Sequence, residues 1–248
     1  MSTKTEYGND SISALKGAER VRKRPEVYLG SNTYKGARHT VTEITGNVTD
    51  ERLAGFGDEV IIQKYEDGAI SVRDFGRGVP LGWNEKEQNW NYFLIYEELY
   101  AGGKYDDNQE FLHRIDEQNA WDTFVMGQHP YLITVGLNGL GAASSQYTSK
   151  YFIVESYRDG ECSSMRYENG IHVWDELHVE PSDEPTGTYI KWKPDDRVFT
   201  STEISSKWLI SLCMTLSYIA GFKVTFIDCG KETVFPAKTM RGIMLESV

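Results

Sequence analysis

Two rhythms of apolar positions run through this chain, one with the period of a helix and one with the period of a strand. Residues 1–10 follow neither and read as a polar, flexible arm. Ile12, Leu15, Ala18 and Val21 recur at helical spacing, on a helix that Asp10 or Ser11 could cap and Pro25 should end. Residues 38–54 read as a second helix with Val41, Ile44, Val48 and Leu53 as its apolar points, although its β-branched content lowers the intrinsic propensity. Residues 59–65 and 69–74 read as strands around Glu66-Asp67-Gly68, a hairpin signal. Residues 89–100 look helical. Residues 104–135 show no clear period, and a connection that long is usually functional or mobile. Beyond it, residues 141–146 read as a helix and residues 150–158, 161–167, 188–193 and 222–228 as strands. Residues 204–220 read as a helix packing on those strands through Trp208, Leu209, Leu212 and Leu216. Helices and antiparallel hairpins are mixed rather than strictly alternating, which predicts an α+β layered sandwich rather than a doubly wound parallel fold.

Composition narrows the function classes. With 248 residues, 40% of them hydrophobic, the chain can bury one large core or at most two small ones. A net charge of −11 gives a surface that does not attract nucleic acid by itself. If the full-length protein handles DNA, another region should make most of the contacts. An anionic nucleotide remains a possible ligand where backbone N–H groups and a divalent cation neutralise it. Cys162, Cys213 and Cys229 are odd in number and widely spaced, which argues against a disulfide framework or a zinc site. No signal peptide and no apolar run of membrane-spanning length is visible, so no membrane partner is expected and the location expected is cytoplasmic.

Three stretches carry candidate chemistry. In Glu43-Ile-Thr-Gly-Asn47 a carboxylate and an amide lie one helical turn apart and share a face. The carboxylate can deprotonate a water, and the amide oxygen can complete a magnesium shell made otherwise of phosphates and waters. His39, one turn earlier, can hydrogen-bond Glu43 and tune it. Asp50 and Glu51 continue the acidic face, and Glu51 can pair with Arg77. In Asp74-Phe-Gly76-Arg77-Gly78-Val79-Pro80 a strand-end carboxylate can accept a hydrogen bond from an exocyclic amine, and the glycines let the backbone approach a flat base. In Gly136-Leu137-Asn138-Gly139-Leu140-Gly141 the backbone before a helix can form an anion nest. Gly102-Gly103-Lys104 adds a hinge with a cation, so the segment from about 102 to 141 reads as a lid. Taken singly, each stretch is also explained by a polar helix face or a plain turn. The Gly-Lys-Ser/Thr ending of a P-loop is absent, and no strand leads directly into the glycines as a Rossmann fingerprint requires.

The order of these motifs, followed by Thr186-Gly187-Thr188 on a late strand, resembles that of the GHKL ATPases. The text of Leu15-Lys-Gly17, Val21-Arg-Lys-Arg-Pro25, Tyr28-Leu-Gly30, Leu53-Ala-Gly55, Asp74-Phe-Gly-Arg-Gly-Val-Pro80 and Ala101-Gly-Gly-Lys-Tyr-Asp-Asp-Asn108 is similar to the B subunits of type IIA DNA topoisomerases, gyrase and topoisomerase IV. The resemblance runs from about Ser11 to the last residues. It implies a two-layer sandwich, with a mixed, largely antiparallel sheet covered by helices on one face. The arm would be residues 1–10, and residues 11–248 would form the ATPase domain. The cofactors implied are ATP and Mg2+. Glu43 would be the general base assisted by His39, Asn47 would hold the magnesium, and Asp74 would read the adenine amine with Thr188 helping through a water. Arg77 would pair with Glu51, and Val79 and Pro80 would line the base pocket. Gly102, Gly103, Lys104 and residues 136–141 would surround the phosphates.

The resemblance further implies a homodimer closed through the arm around Tyr7 when ATP binds. A gyrase A-like DNA-cleaving subunit would be a partner, DNA would be met through regions outside this chain, and aminocoumarin-type compounds would inhibit. The chain would be a fragment with weak hydrolysis alone, since in the family a following transducer domain supplies a lysine to the terminal phosphate. Departures from the family pattern include Gly46 before the metal-binding Asn47, Val48-Thr49 after it, Asn138 in the phosphate loop, Val27-Tyr28 after Arg24-Pro25-Glu26, and a longer lid with Trp121, His129 and Pro130. They imply a divergent paralogue. The alternatives weighed are a nucleotide-binding regulatory module without efficient turnover and another ATP-dependent clamp of the MutL kind.

Overall fold

Strand β5 (Ser149–Arg158) shows how the sequence sets up two faces. Phe152, Val154 and Ser156 are fully buried, and Ile153, Glu155 and Tyr157 between them point to the other, half-exposed face. In the computed structural model, which describes residues 15, 17–101 and 139–237, this strand belongs to a nine-stranded sheet. Its order is β11 (Lys231–Phe235), β10 (Lys223–Asp228), β1 (Glu59–Lys64), β2 (Ile70–Asp74), β9 (Gly187–Pro194), β5, β6 (Glu161–Glu168) and β7 (Ile171–His172). A further strand, β8 (His178–Pro181), also pairs with β6. Every pairing is antiparallel except β1 with β10, so the sheet is mixed and largely antiparallel, as expected. A separate hairpin joins β3 (Trp83–Asn84) and β4 (Asn89–Trp90).

The helices are α1 (Gly17–Lys23), α2 (Pro25–Leu29), α3 (Tyr34–Leu53), α4 (Asn91–Tyr96), α5 (Gly141–Tyr147) and α6 (Ser206–Thr215). They supply the second layer. Ala37, Val41, Ile44 and Val48 of α3 and Leu209 and Cys213 of α6 join Val60, Ile62, Val72, Val154, Trp192 and Phe226 of the sheet in one core. This is the α+β two-layer arrangement predicted. Among the described residues no helix is long and apolar enough to cross a membrane, and the three cysteines are unpaired.

Several boundaries differ from the sequence reading for identifiable reasons. Pro25 follows the end of α1, but it also opens α2 as its first residue, where its missing N–H costs nothing. Helix α3 starts at Tyr34 rather than Arg38, because the Thr33 hydroxyl caps the Lys35 N–H. Its β-branched and threonine-rich stretch stays helical while Thr40, Thr42, Thr45 and Thr49 each donate to the carbonyl four residues back. The helix expected over residues 89–100 is only Asn91–Tyr96, since Asn89 and Trp90 belong to the hairpin. Helix α6 begins after the Ser205 cap and ends in a single π turn, Leu216–Ala220, closed by left-handed Gly221. The arm expected at 1–10 and most of the segment read as a lid lie outside the described residues.

Candidate functional site

Helix α3 carries the acidic face toward the glycine-rich run. His39 Nε2 lies 3.0 Å from Glu43 Oε1. That hydrogen bond holds the His39 imidazole above its ordinary pKa, outweighing partial burial, which acts the other way. Glu43 in turn rests on the start of α5. A Cβ at Gly141 would collide with Glu43 Oε2 and stand 3.3 Å from Glu43 Cβ, so glycine is what lets the two elements meet. Asn47, one turn further on, is half-buried, and its amide makes no hydrogen bond with the described residues. Asp50 is fully buried.

Glu51 faces the turn after β2. Arg77 donates from Nε to Glu51 Oε2 and from Nη2 to Glu51 Oε1, both at 2.9 Å, in a two-pronged pair. Its guanidinium also covers the Phe56 ring at 4.2 Å. The pair is partly exposed, so its worth is about 0–1 kcal/mol and its main effect is to fix the turn against α3.

Asp74 ends β2 and is 7% exposed. Its Oδ1 accepts the N–H groups of Gly76 at 2.8 Å and Thr188 at 3.2 Å. Burial raises its pKa, and those two backbone bonds and Arg73 only partly oppose the shift. Its Oδ2 takes no hydrogen bond from the described residues. The buried end of a strand therefore presents one uncommitted acceptor. The Thr188 hydroxyl accepts from the Val79 N–H at 3.1 Å, which ties the turn to β9. Gly78 has φ +73°, and a Cβ there would stand 2.9 Å from the Tyr157 carbonyl. Val79 is half-buried, while Arg77 and Pro80 are exposed.

The glycine run meets the segment after α4 through a hydrogen bond from Tyr100 N to Gly139 O at 3.1 Å. Gly139 has φ +56°, Leu140 caps α5, and Gly141 is its first residue. Gly102, Gly103, Lys104, Gly136, Leu137 and Asn138 lie outside the described residues. One residue at this site escaped the sequence reading. Arg158, at the end of β5, reaches the Gly78 carbonyl with Nη1 at 3.4 Å. Arg158 closes a segment read only as a strand, and no pattern around it signals that its side chain folds back over a turn eighty residues earlier.

A two-layer α+β sandwich with a carboxylate-bearing helix set against a glycine run, and a buried Asp at a strand end, defines the class of GHKL-type ATPase domains. The comparisons narrow this. The DNA gyrase B subunit of Haloferax volcanii is 34% identical over 233 residues, covering 92% of this chain and 33% of that protein. The DNA topoisomerase 4 B subunit of Staphylococcus aureus is 35% identical over 269 residues, covering 98% of this chain and 37% of that protein. The crystal structure of the 43K ATPase domain of Thermus thermophilus gyrase B, in complex with an aminocoumarin, superposes with a TM-score of 0.67 at 26% identity, covering 90% of this chain and 52% of that one. No protein-family model matches. The chain is a homologue of the B subunits of DNA gyrase and topoisomerase IV and has the fold of the gyrase B ATPase domain. It spans about a third of the length of these curated relatives.

Proposed function

We propose that this chain binds ATP with Mg2+ and hydrolyses it, as the ATPase domain of a type IIA topoisomerase B subunit. The observation that carries the reading is the Glu43 carboxylate, paired with His39 and seated on Gly141 at the head of α5. A base must stand beside the phosphate-binding backbone to activate a water for attack there. Asp74 supplies the complement at the buried end, an acceptor for the adenine amine.

The donor set fits magnesium. Among the described residues no group of three or more His, Cys, Asp or Glu could hold a metal. The Asn47 amide oxygen would be the protein ligand, with phosphates and waters completing the shell, as magnesium prefers. When bound, the ion neutralises phosphate charge. Of the protein groups, His39 orients Glu43, Glu43 takes a proton from the attacking water, and the backbone of residues 136–141 receives the phosphates. Gly102, Gly103 and Lys104 would close over them from the other end of the lid. Arg77 and Glu51 hold the base-pocket turn in place.

In the whole protein, ATP binding would dimerise two such domains through the arm, and hydrolysis would release them. That cycle would gate the passage of DNA through a complex with a gyrase A-like cleaving subunit, with DNA contacts made by regions outside this chain. Aminocoumarins, bound by the Thermus neighbour, are expected inhibitors. The relatives favour this over a MutL-like clamp.

Calorimetric titration of the chain with a non-hydrolysable ATP analogue, with and without magnesium, tests the reading. Saturable binding enhanced by magnesium is expected, with the GTP analogue binding more weakly. Asp74→Asn should weaken it by about 1–3 kcal/mol, the cost of a mismatched buried hydrogen bond. Equal affinity for the two bases, or no effect of Asp74→Asn, would contradict it.

A further inference from the structure

On the far side of the sheet from the Asp74 carboxylate lies an arginine with no task in the reading above. Side chains alternate along β2, so Val72 and Asp74 point into the core and Arg73 between them points to the opposite face. The pairing of β2 with β9 ends at Arg73, opposite Tyr189. There the guanidinium reaches over the strand end. Its Nη1 donates to the Asp74 carbonyl at 2.8 Å, and its Nη2 donates to the Pro185 carbonyl, in the segment that leads into β9. The Tyr157 and Phe75 rings flank it, with centroids at 4.3 Å and 5.0 Å.

Gly187, opposite Tyr157 on β5, leaves the room for this crossing. A Cβ there would stand 2.1 Å from the Asp74 carbonyl oxygen and 2.6 Å from Arg73 Nη1. Thr188 follows directly, and its N–H is the one that Asp74 Oδ1 accepts at 3.2 Å. One guanidinium therefore ties the end of β2 to the start of β9 at the two residues expected to meet the base. A β-branched residue would suit an outward strand position. Arginine adds two directed donors and a charge that survives burial. Burial lowers its pKa, while Asp74, the Tyr157 phenol, Glu184 and Glu155 oppose the shift. Through the sheet, burial raises the Asp74 pKa. The Gly76 and Thr188 N–H groups and the Arg73 charge act against that rise, and Glu51 of α3 adds to it. Tyr96 of α4 also faces this carboxylate, whose charge adds to burial in raising the tyrosine pKa.

We propose that Arg73 is a positioning residue of the nucleotide site, acting from the opposite face of the sheet. It fixes the Asp74 and Pro185 carbonyls, and with them the spacing of Asp74 and Thr188, and it keeps a permanent positive charge behind the carboxylate. This rests on the ATP reading above. A carboxylate accepts a hydrogen bond roughly twice as strongly as a neutral carboxyl. Base binding therefore weakens as pH falls through the Asp74 midpoint, and a charge that holds this midpoint down widens the pH range in which the site works. Arg73 touches no nucleotide in this role.

The test compares wild type, Arg73→Gln, Arg73→Lys and Asp74→Asn. Carbon-13 NMR titration of the Asp74 carboxyl without ligand reads the charge, and calorimetry with a non-hydrolysable ATP analogue over the same pH range reads the site. Arg73→Gln should move the Asp74 midpoint to higher pH. It should bind the analogue about threefold to tenfold more weakly at neutral pH, the loss of one hydrogen bond, and the deficit should grow as pH falls. Arg73→Lys should restore the midpoint and leave a smaller deficit, because an ammonium keeps the charge but not the fork. An Asp74 midpoint unmoved by Arg73→Gln overturns the proposal. So does a midpoint moved equally by both variants, which would point to packing. Unchanged affinity of Arg73→Gln, in a protein whose binding does fall with Asp74→Asn, overturns the role of Arg73 alone. If Arg73→Gln does not fold, wild-type affinity of folded Arg73→Lys at neutral pH overturns it. Absence of binding by folded wild type overturns the ATP reading and this inference with it.

Discussion

His39 and Glu43 are one helical turn apart, and their contact makes a prediction that needs no nucleotide. The Glu43 hydrogen bond raises the His39 pKa above that of a free imidazole. A raised folded value means the protonated form is favoured by folding. The contribution is complete below the ordinary imidazole range and is lost as pH rises through the raised value. NMR titration of the His39 ring should therefore show a midpoint above the ordinary one, and Glu43→Gln should bring it back down. A midpoint unaffected by Glu43→Gln would mean the pair does not form in solution. This pair was legible in the sequence because helical spacing alone brings residues four apart together. The Glu51–Arg77 pair was read from opposite charge and again from the family resemblance, but no local spacing fixes it, since it joins positions twenty-six apart. The seating of Glu43 on Gly141 was not legible at all. It depends on where α5 packs against α3, and a glycine in a glycine run has many possible reasons.

At the scale of elements, α1 is held to the site's framework by a cluster that no sequence pattern marks. Asp195, just past β9, is fully buried and accepts from Arg197 Nε at 3.0 Å, Arg197 Nη2 at 2.7 Å and the Arg197 N–H at 2.9 Å, and also from Arg22 of α1. Arg22 also donates to the carbonyls of Tyr147 at 2.9 Å and Ser149 at 3.2 Å, at the junction of α5 and β5. Burial alone would raise the Asp195 pKa, but the hydrogen bonds from Arg197 and Arg22 together outweigh it and bring it down to about 2. A depressed folded value gives stability that is present above the ordinary carboxylate range and lost as pH falls toward 2. Asp195→Asn should lower unfolding free energy near neutral pH by about 1.5–3 kcal/mol, the range for hydrogen bonds to charged groups. It should also flatten the acid limb, and denaturant titrations at several pH values measure both effects. Identical acid limbs in mutant and wild type would remove Asp195 from this role. The elements the sequence predicted well are those with a strong period and a buried face, such as β1, β2, β5 and β9. Those it missed, β3, β4, β7, β8 and β11, are short or exposed along almost their whole length, so no alternation marks them. The parallel pairing of β1 with β10 joins segments over 160 residues apart and is set by packing rather than by any local signal.

On the scale of the whole molecule, an acidic domain is suited to binding a nucleotide through backbone and metal rather than to gripping DNA. The homology to gyrase and topoisomerase IV B subunits covers about a third of their length. The central claim is that Glu43 makes this domain an ATPase. Steady-state ATP turnover of the full-length protein, with binding of a non-hydrolysable ATP analogue measured on the same samples, tests it most directly. The account predicts that Glu43→Ala keeps analogue binding within a few-fold of wild type and loses turnover by about 10²-fold or more, the contribution of a general base. Turnover that survives Glu43→Ala undiminished would contradict it.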